Sequence, residues 1–327
     1  MKVENIKSND KVEHVKKDMP FEGPEPTREN VPVKPAKIGK KAVALAVAAL
    51  LIPISLSIAA AAYLSNLLLK TGRTKNKYSP AEFDMNYQSV SFRSKDGFRV
   101  NAWWVPGKKK HKAIILCHGF GSDKSGFLGH ISFLHKAGYG LLMFDFRGHG
   151  ESEQKYTSLG YLEVNDLFGA IKFLERKKIR TIGVLGISMG ASTAIIAAAR
   201  TKKIKAVVAD SPFAKLGEVI DNYGKKFYRI PSKVVTRLTV WMAELRTGYR
   251  YERVTPNEDV KSMNTPLLII HGKKDALVSL KSIKELYGNA KEPKELLVFN
   301  NSGHAEGHES NRFEYERKVL SFFAKYL

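Results

Sequence analysis

A serine hydroxyl becomes a nucleophile only when a base can take its proton and a carboxylate holds that base in place. Three residues of the required types occur here in a usable order. Ser188 stands in Gly186-Ile187-Ser188-Met189-Gly190, Asp275 closes His271-Gly272-Lys273-Lys274-Asp275, and His304 closes Asn301-Ser302-Gly303-His304. The chemistry such a set can perform is acyl transfer: attack on a carbonyl, with His304 moving the proton and Asp275 orienting the ring. Two positions have competitors. His308 lies four residues beyond His304, and Asp210 ends the apolar run Ala206–Ala209. His304 follows its strand by the shorter loop, and Gly303 frees that loop, so it is preferred. Asp210, in Ala209-Asp210-Ser211-Pro212, is read as holding its own turn through side-chain hydrogen bonds. An oxyanion would need two backbone N–H donors. Met189, directly after the serine, supplies one, and Phe120 in His118-Gly119-Phe120-Gly121 supplies the other. His118 is read as a structural hydrogen-bonder of that loop. His304-x-Glu306-x-His308 lacks a recognisable ligand pattern, so no metal is expected, and the chemistry calls for no cofactor.

The pentapeptide alone is weak, since its glycines and serine are common residues; its flanks make it informative. Arg180–Leu185 is a short apolar run with β-branched residues, read as a buried strand, and Ala191–Ala199 is uncharged and Ala-rich, read as a buried helix. A chain that turns sharply from strand to helix leaves the turn residue strained and its side chain exposed at the sheet's carboxyl edge. Glycines two before and two after remove side chains that would collide there. The helix N-terminus then presents unpaired N–H groups.

The other elements must bring Asp275 and His304 to the same edge. Gln88–Arg93 and Phe98–Val105 flank the turn signal Ser94–Gly97 and read as an antiparallel hairpin, with Trp103 and Trp104 on opposite faces. Strands at Ala113–Cys117, Gly140–Phe144, Ala206–Ala209, Leu267–Ile270 and Glu295–Phe299 alternate with helices near 124–137, 161–177 and 314–326. Repeated βα units with continuously apolar strands predict a mostly parallel sheet covered by helices on both faces. Between Asp210 and Pro266 the alternation breaks. Leu216, Val219, Ile220, Tyr223 and Phe227 fall at helical spacing, as do Val234, Leu238, Trp241, Met242 and Leu245 after Pro231. These predict two helices forming a small lid, an insertion over about 214–264.

Residues 1–41 are polar, carry prolines at 20, 24, 26, 32 and 35, and read as a disordered tail. Residues 42–69 then carry no charge, more than the roughly 20 needed to cross a bilayer, and predict a single transmembrane helix. The run includes Ala59–Ala62, which a signal peptidase could cut, but it continues apolar to Leu69. Lys34, Lys37, Lys40 and Lys41 on one side balance Lys70, Arg73, Lys75 and Lys77 on the other, so flanking charge leaves orientation open. The anchor's amino-terminal position and the ten basic residues before it point to a catalytic domain outside the cytoplasm, beginning near residue 78 and folded clear of the bilayer. The single cysteine, Cys117, excludes an intrachain disulfide and a cysteine-based zinc site. The net charge of +22 lies mainly on the folded part. It favours anionic surroundings, but the lysines are scattered and no nucleic-acid motif accompanies them.

At His118–Gly121, Asp145-Phe146-Arg147-Gly148-His149-Gly150-Glu151-Ser152, Gly186–Gly190, His271–Asp275 and Gly303-His304 the chain resembles the α/β-hydrolase family, in its serine esterase and peptidase-like branches. The resemblance spans about residues 87–327. It implies the α/β-hydrolase fold, an acyl-enzyme on Ser188, a small-molecule or lipid-like acyl substrate, and a mainly structural role for Asp145–Ser152. Ser279 stands where many relatives have proline. Acyl transfer to an alcohol or amine through the same intermediate is the chemical rival, and a surface binding protein on an inactive hydrolase fold is the non-enzymatic one.

Overall fold

The computed structural model describes residues 39–71, 78–228 and 233–327. The expected polar tail up to residue 38 lies outside these, as do Pro231 and the flanking Arg73, Lys75 and Lys77.

Among the described residues eight strands form one sheet in the order β1-β2-β4-β3-β5-β6-β7-β8. They are β1 (Gln88–Arg93), β2 (Arg99–Val105), β3 (Lys112–Cys117), β4 (Gly140–Phe144), β5 (Thr181–Ile187), β6 (Ile204–Asp210), β7 (Leu267–Gly272) and β8 (Lys294–Phe299). The expected hairpin β1–β2 pairs antiparallel, β2 joins β4 antiparallel, and all remaining pairs are parallel. β3 lies between β4 and β5, so the winding direction reverses there. Such a reversal opens a crevice beyond the strand carboxyl ends, where open α/β sheets bind ligands.

Among the described residues ten α-helices accompany the sheet: α1 (Lys40–Leu69), α2 (Leu128–Lys136), α3 (Glu163–Arg176), α4 (Met189–Arg200), α5 (Leu216–Tyr228), α6 (Lys233–Thr247), the single turns α7 (Pro256–Asp259) and α9 (Gly307–Ser310), α8 (Leu280–Asn289) and α10 (Arg312–Tyr326). The period-two alternation of the strands divides the core between two faces. Trp104, Ile115 and Phe144 pack with Leu167 of α3, Ile195 of α4 and Ile283 of α8. Trp103, Ile114 and Leu116 pack with Ile131 of α2 and Phe323 of α10. The two tryptophans therefore do face opposite sides. The sheet thus has helices on both faces, and the inserted α5 and α6 stand where the lid was expected.

The amino-terminal apolar run differs from expectation at its far end. α1 is long and apolar enough to cross a membrane, and its most apolar stretch, of mean hydropathy 2.5, is unburied. Yet its last turns, from Ala61 on, pack against the sheet-bearing domain instead of standing clear of it. Ala61, Ser65 and Leu69 are fully buried. Their spacing of four puts them on one helical face, and that face packs onto the domain. The Leu69 carbonyl accepts from Thr157 N–H (3.1 Å), and the Thr71 hydroxyl donates to the Gly148 carbonyl. From α6, Arg246 donates to Ser65 Oγ (3.2 Å) and Asn66 Oδ1 (3.3 Å). The last turns of α1 thus belong to the globular unit. Leu69→Ala is expected to lower stability by about 2–5 kcal/mol, the range for a buried leucine truncated in a packed core; thermal unfolding in detergent measures it.

Candidate active site

The site is built on the carboxyl ends of the parallel strands. β5 ends at Ile187 and α4 begins at Met189, so Ser188 makes the whole turn. Its φ of 52° and ψ of −114° lie where a non-glycine residue costs roughly 1–3 kcal/mol. Two glycines allow the turn to close. A Cβ at Gly190 would overlap the Cys117 and His118 carbonyls, and one at Gly186 would overlap the backbone of Gly190. Ser188 N–H donates to the Asp210 carbonyl (2.8 Å), tying the turn to β6.

Asp275 and His304 converge on this turn from the loops after β7 and β8. His304 Nδ1 lies 2.6 Å from Asp275 Oδ2, and His304 Nε2 lies 2.9 Å from Ser188 Oγ. A carboxylate only accepts, so Nδ1 carries the hydrogen and Nε2 is left to accept from the serine hydroxyl. Asp275 Oδ1 accepts from the N–H groups of Leu277 (2.8 Å) and Val278 (2.9 Å). Burial alone would raise this carboxyl; the His304 partner and those N–H groups outweigh it and hold it below its ordinary range. The Asp275 side chain is fully buried, whereas His304 keeps 18% of its side-chain surface exposed, toward the cavity it lines. The arrangement can draw a proton from Ser188 and stabilise the imidazolium that results.

The competing residues stand elsewhere. His308 rides on α9, stacks on His130 at 4.1 Å and bonds Glu316 through Nε2 (3.1 Å). Asp210 is buried, and Ser211 Oγ donates to its Oδ1 (3.0 Å). Burial raises its carboxyl from 3.8 to about 6. The folded state therefore holds a proton between these values that the unfolded chain has released. That contribution to stability is complete below about 4 and is lost as the pH rises through 6. Asp210→Asn cannot ionise, so its Tm relative to the parent protein should climb across that window. Ester hydrolysis should persist within about tenfold, since Asp275 is the acid facing His304; Tm and rates measured at several pH values check both.

His118 packs beside the turn with both nitrogens used. Nε2 accepts from Phe146 N–H (3.0 Å), so Nδ1 donates to the Gly119 carbonyl (2.7 Å). Burial pushes its pKa well below the usual histidine value. A Cβ on Gly119 would lie 3.5 Å from Ser188 Cβ, so this loop runs alongside the serine. Phe120 and Met189 both line the cavity above Ser188. Met189 opens α4, so its N–H has no acceptor within the helix. The Asp145–Ser152 stretch is braced from below. Lys124, itself buried, bonds Asp145 and Glu151 at 2.7 Å each, and Arg147 bonds Asp166 and Asp96.

Several supporting contacts carried no sequence signal. Ser211 Oγ accepts from Ala305 N–H (3.0 Å), and Glu306 accepts from Gly303 N–H (2.7 Å); together they fix the His304 loop. Asn222 of α5 donates to the Leu277 carbonyl (3.0 Å), linking the lid to the acid loop. Ser279 caps α8 by accepting from Ser282 N–H (3.2 Å) and donates to Glu218 of α5 (3.1 Å). A proline there could do neither.

The cavity over Ser188 measures about 390 Å³ and is mostly apolar, with Leu216, Val219, Ile220 and Tyr223 of α5 on one side. Among the described residues no cluster suited to a metal ion occurs.

Comparison with known proteins supplies the family and the fold. The prolyl oligopeptidase family model matches residues 125–327, which include Ser188, Asp275 and His304. The uncharacterised Bacillus subtilis protein YqkD is 31% identical over 230 residues, 69% of this chain and 75% of its own. The Pyrococcus furiosus esterase Pf2001 superposes with a TM-score of 0.68 at 28% identity, over 79% of this chain and 99% of its own. A Pyrococcus horikoshii acylaminoacyl peptidase shares the fold (TM-score 0.58, 16% identity, 77% of this chain and 44% of its own). Fold and relatives define a serine hydrolase of the α/β-hydrolase fold. Within that class, the chain belongs to the prolyl oligopeptidase family.

Proposed function

We propose that the chain is a membrane-anchored serine esterase acting through an acyl-Ser188 intermediate. The observation that carries this reading is the unbroken Ser188–His304–Asp275 relay at the floor of an apolar cavity. Ser188 Oγ attacks the ester carbonyl as His304 Nε2 takes its proton. The N–H groups of Phe120 and Met189 hold the oxyanion, and Asp275 stabilises the imidazolium. His304 returns the proton to the departing alcohol. Water then attacks the acyl-enzyme by the same route and releases the acid. An apolar cavity suits an acyl chain better than a charged peptide, and the Pyrococcus furiosus relative is an esterase.

Anchoring rests on α1. Its exposed apolar part, residues 42–60, spans roughly 28 Å at 1.5 Å per residue, against a hydrocarbon core of about 30 Å. On α6, Val234, Trp241 and Leu245 are exposed at spacings that place them on one face. An interfacial tryptophan beside basic Lys233 and Arg237 suits a lipid surface. The tail is assigned to the cytoplasm and the catalytic domain to the outer side. The reading is tested by fractionating cells that make the full-length protein. It requires membrane-bound protein that hydrolyses p-nitrophenyl butyrate after detergent extraction, and a domain digested by protease added to intact cells. Intact-mass protein in the soluble fraction contradicts the anchor, a protected domain contradicts the orientation, and inert extracted protein contradicts the esterase.

A further inference from the structure

One wall of the cavity at Ser188 comes from the helix assigned to the membrane. Leu64, Leu67 and Leu68, in the last turns of α1, line it. Their spacing places them on one helical face, half-buried, beside the Ala61, Ser65 and Leu69 face that packs into the domain. This wall is fixed in place: Leu69 and Thr71 bond the loops around Thr157 and Gly148, and Arg246 bonds Ser65 and Asn66. Val219, Ile220 and Tyr223 of α5 supply other lining, and Ser188, Met189 and Phe120 line the same cavity. The hydroxyl acylated in the proposed mechanism therefore opens into a slot between the lid and the end of α1.

We propose that Leu64, Leu67 and Leu68 are specificity-determining residues that select the acyl chain, so that the anchoring helix also decides which ester is cleaved. The inference rests on the serine esterase reading and adds its substrate class: esters of apolar acyl chains long enough to reach α1. In acylation Ser188 Oγ bonds the carbonyl carbon, and the alcohol leaves with the proton from His304. The chain stays tethered to Ser188 until water releases it, so it meets the leucines in both half-reactions. A two-carbon acyl group offers them almost no apolar surface to bury. The wall should therefore affect long substrates and spare short ones.

The experiment uses the full-length, detergent-extracted protein and p-nitrophenyl acetate, butyrate, octanoate and laurate. Leu67→Trp and Leu68→Trp fill the slot. The control is Leu51→Trp, on the exposed part of the same helix. We expect kcat/KM for octanoate and laurate to fall by about tenfold or more in the filled variants, while acetate stays within about twofold. The control should match the parent protein. The Leu64→Ala/Leu68→Ala double variant removes volume and should raise laurate relative to octanoate, a readout that holds even if a tryptophan variant folds poorly. An unchanged chain-length profile in both the filled and the emptied variants overturns the proposal. So does a profile altered equally by Leu51→Trp. Failure of the esterase reading looks different: the parent protein would cleave none of the four esters, and the selection claim would fall with it.

Discussion

Ser188→Ala should abolish ester hydrolysis while leaving the fold intact. Removing a triad nucleophile lowers kcat by on the order of 10⁴- to 10⁶-fold, and what remains comes from binding and the oxyanion donors. The fold should survive because the Ser188 hydroxyl bonds only His304 among the described partners, while the turn is held by backbone: Ser188 N–H on the Asp210 carbonyl and the Ser188 carbonyl on Ser192 N–H. Alanine keeps the same Cβ and meets the same backbone strain at φ 52°. Steady-state rates on p-nitrophenyl butyrate, with Tm and circular dichroism as controls, should show a dead enzyme of normal stability. Retention of most activity by a well-folded variant removes Ser188 from the mechanism.

The second large effect separates two histidines four residues apart. His304→Ala leaves Ser188 without a base and Asp275 Oδ2 without its imidazole partner, so kcat should fall on the order of 10⁴-fold or more. His308→Ala touches neither, because its ring lies between His130 and the Glu316 carboxylate. It should keep activity within about tenfold and lose instead about 1–3 kcal/mol of stability from the vacated stack and lost hydrogen bond. Parallel assays of activity and thermal unfolding distinguish the two. The reverse order of damage would move the base to His308.

The sequence exposed this site well because the relevant signals are local. Gly186, Ser188 and Gly190 report a turn that only glycine-flanked backbone can make. The apolar runs 180–185, 267–270 and 295–299 mark strands whose ends must converge once the sheet is parallel. Trp103 and Trp104 announce by adjacency alone that both faces of β2 are covered. What stayed illegible depends on contacts between distant segments. Ser211 with Ala305, Asn222 with Leu277 and Glu218 with Ser279 join loops and helices far apart in sequence, and no spacing rule marks them. The end of α1 is the plainest case. An uncharged run satisfies lipid and a protein core equally, so composition could not reveal that Ala61, Ser65 and Leu69 face the domain. Ser65 and Asn66, two of the polar residues within the run, meet Arg246 there, whereas Ser55 and Ser57 bond only their own helix.

The most direct test of the central claim is covalent. A fluorophosphonate reacts with a serine only where a base has activated the hydroxyl and oxyanion donors receive the phosphoryl oxygen. The detergent-extracted protein is treated with the probe, its intact mass is recorded, and the modified peptide is sequenced. The relay at 2.9 and 2.6 Å predicts one adduct, on Ser188, and its loss in His304→Ala. An unlabelled folded protein, or an adduct on a different serine, would contradict the assignment.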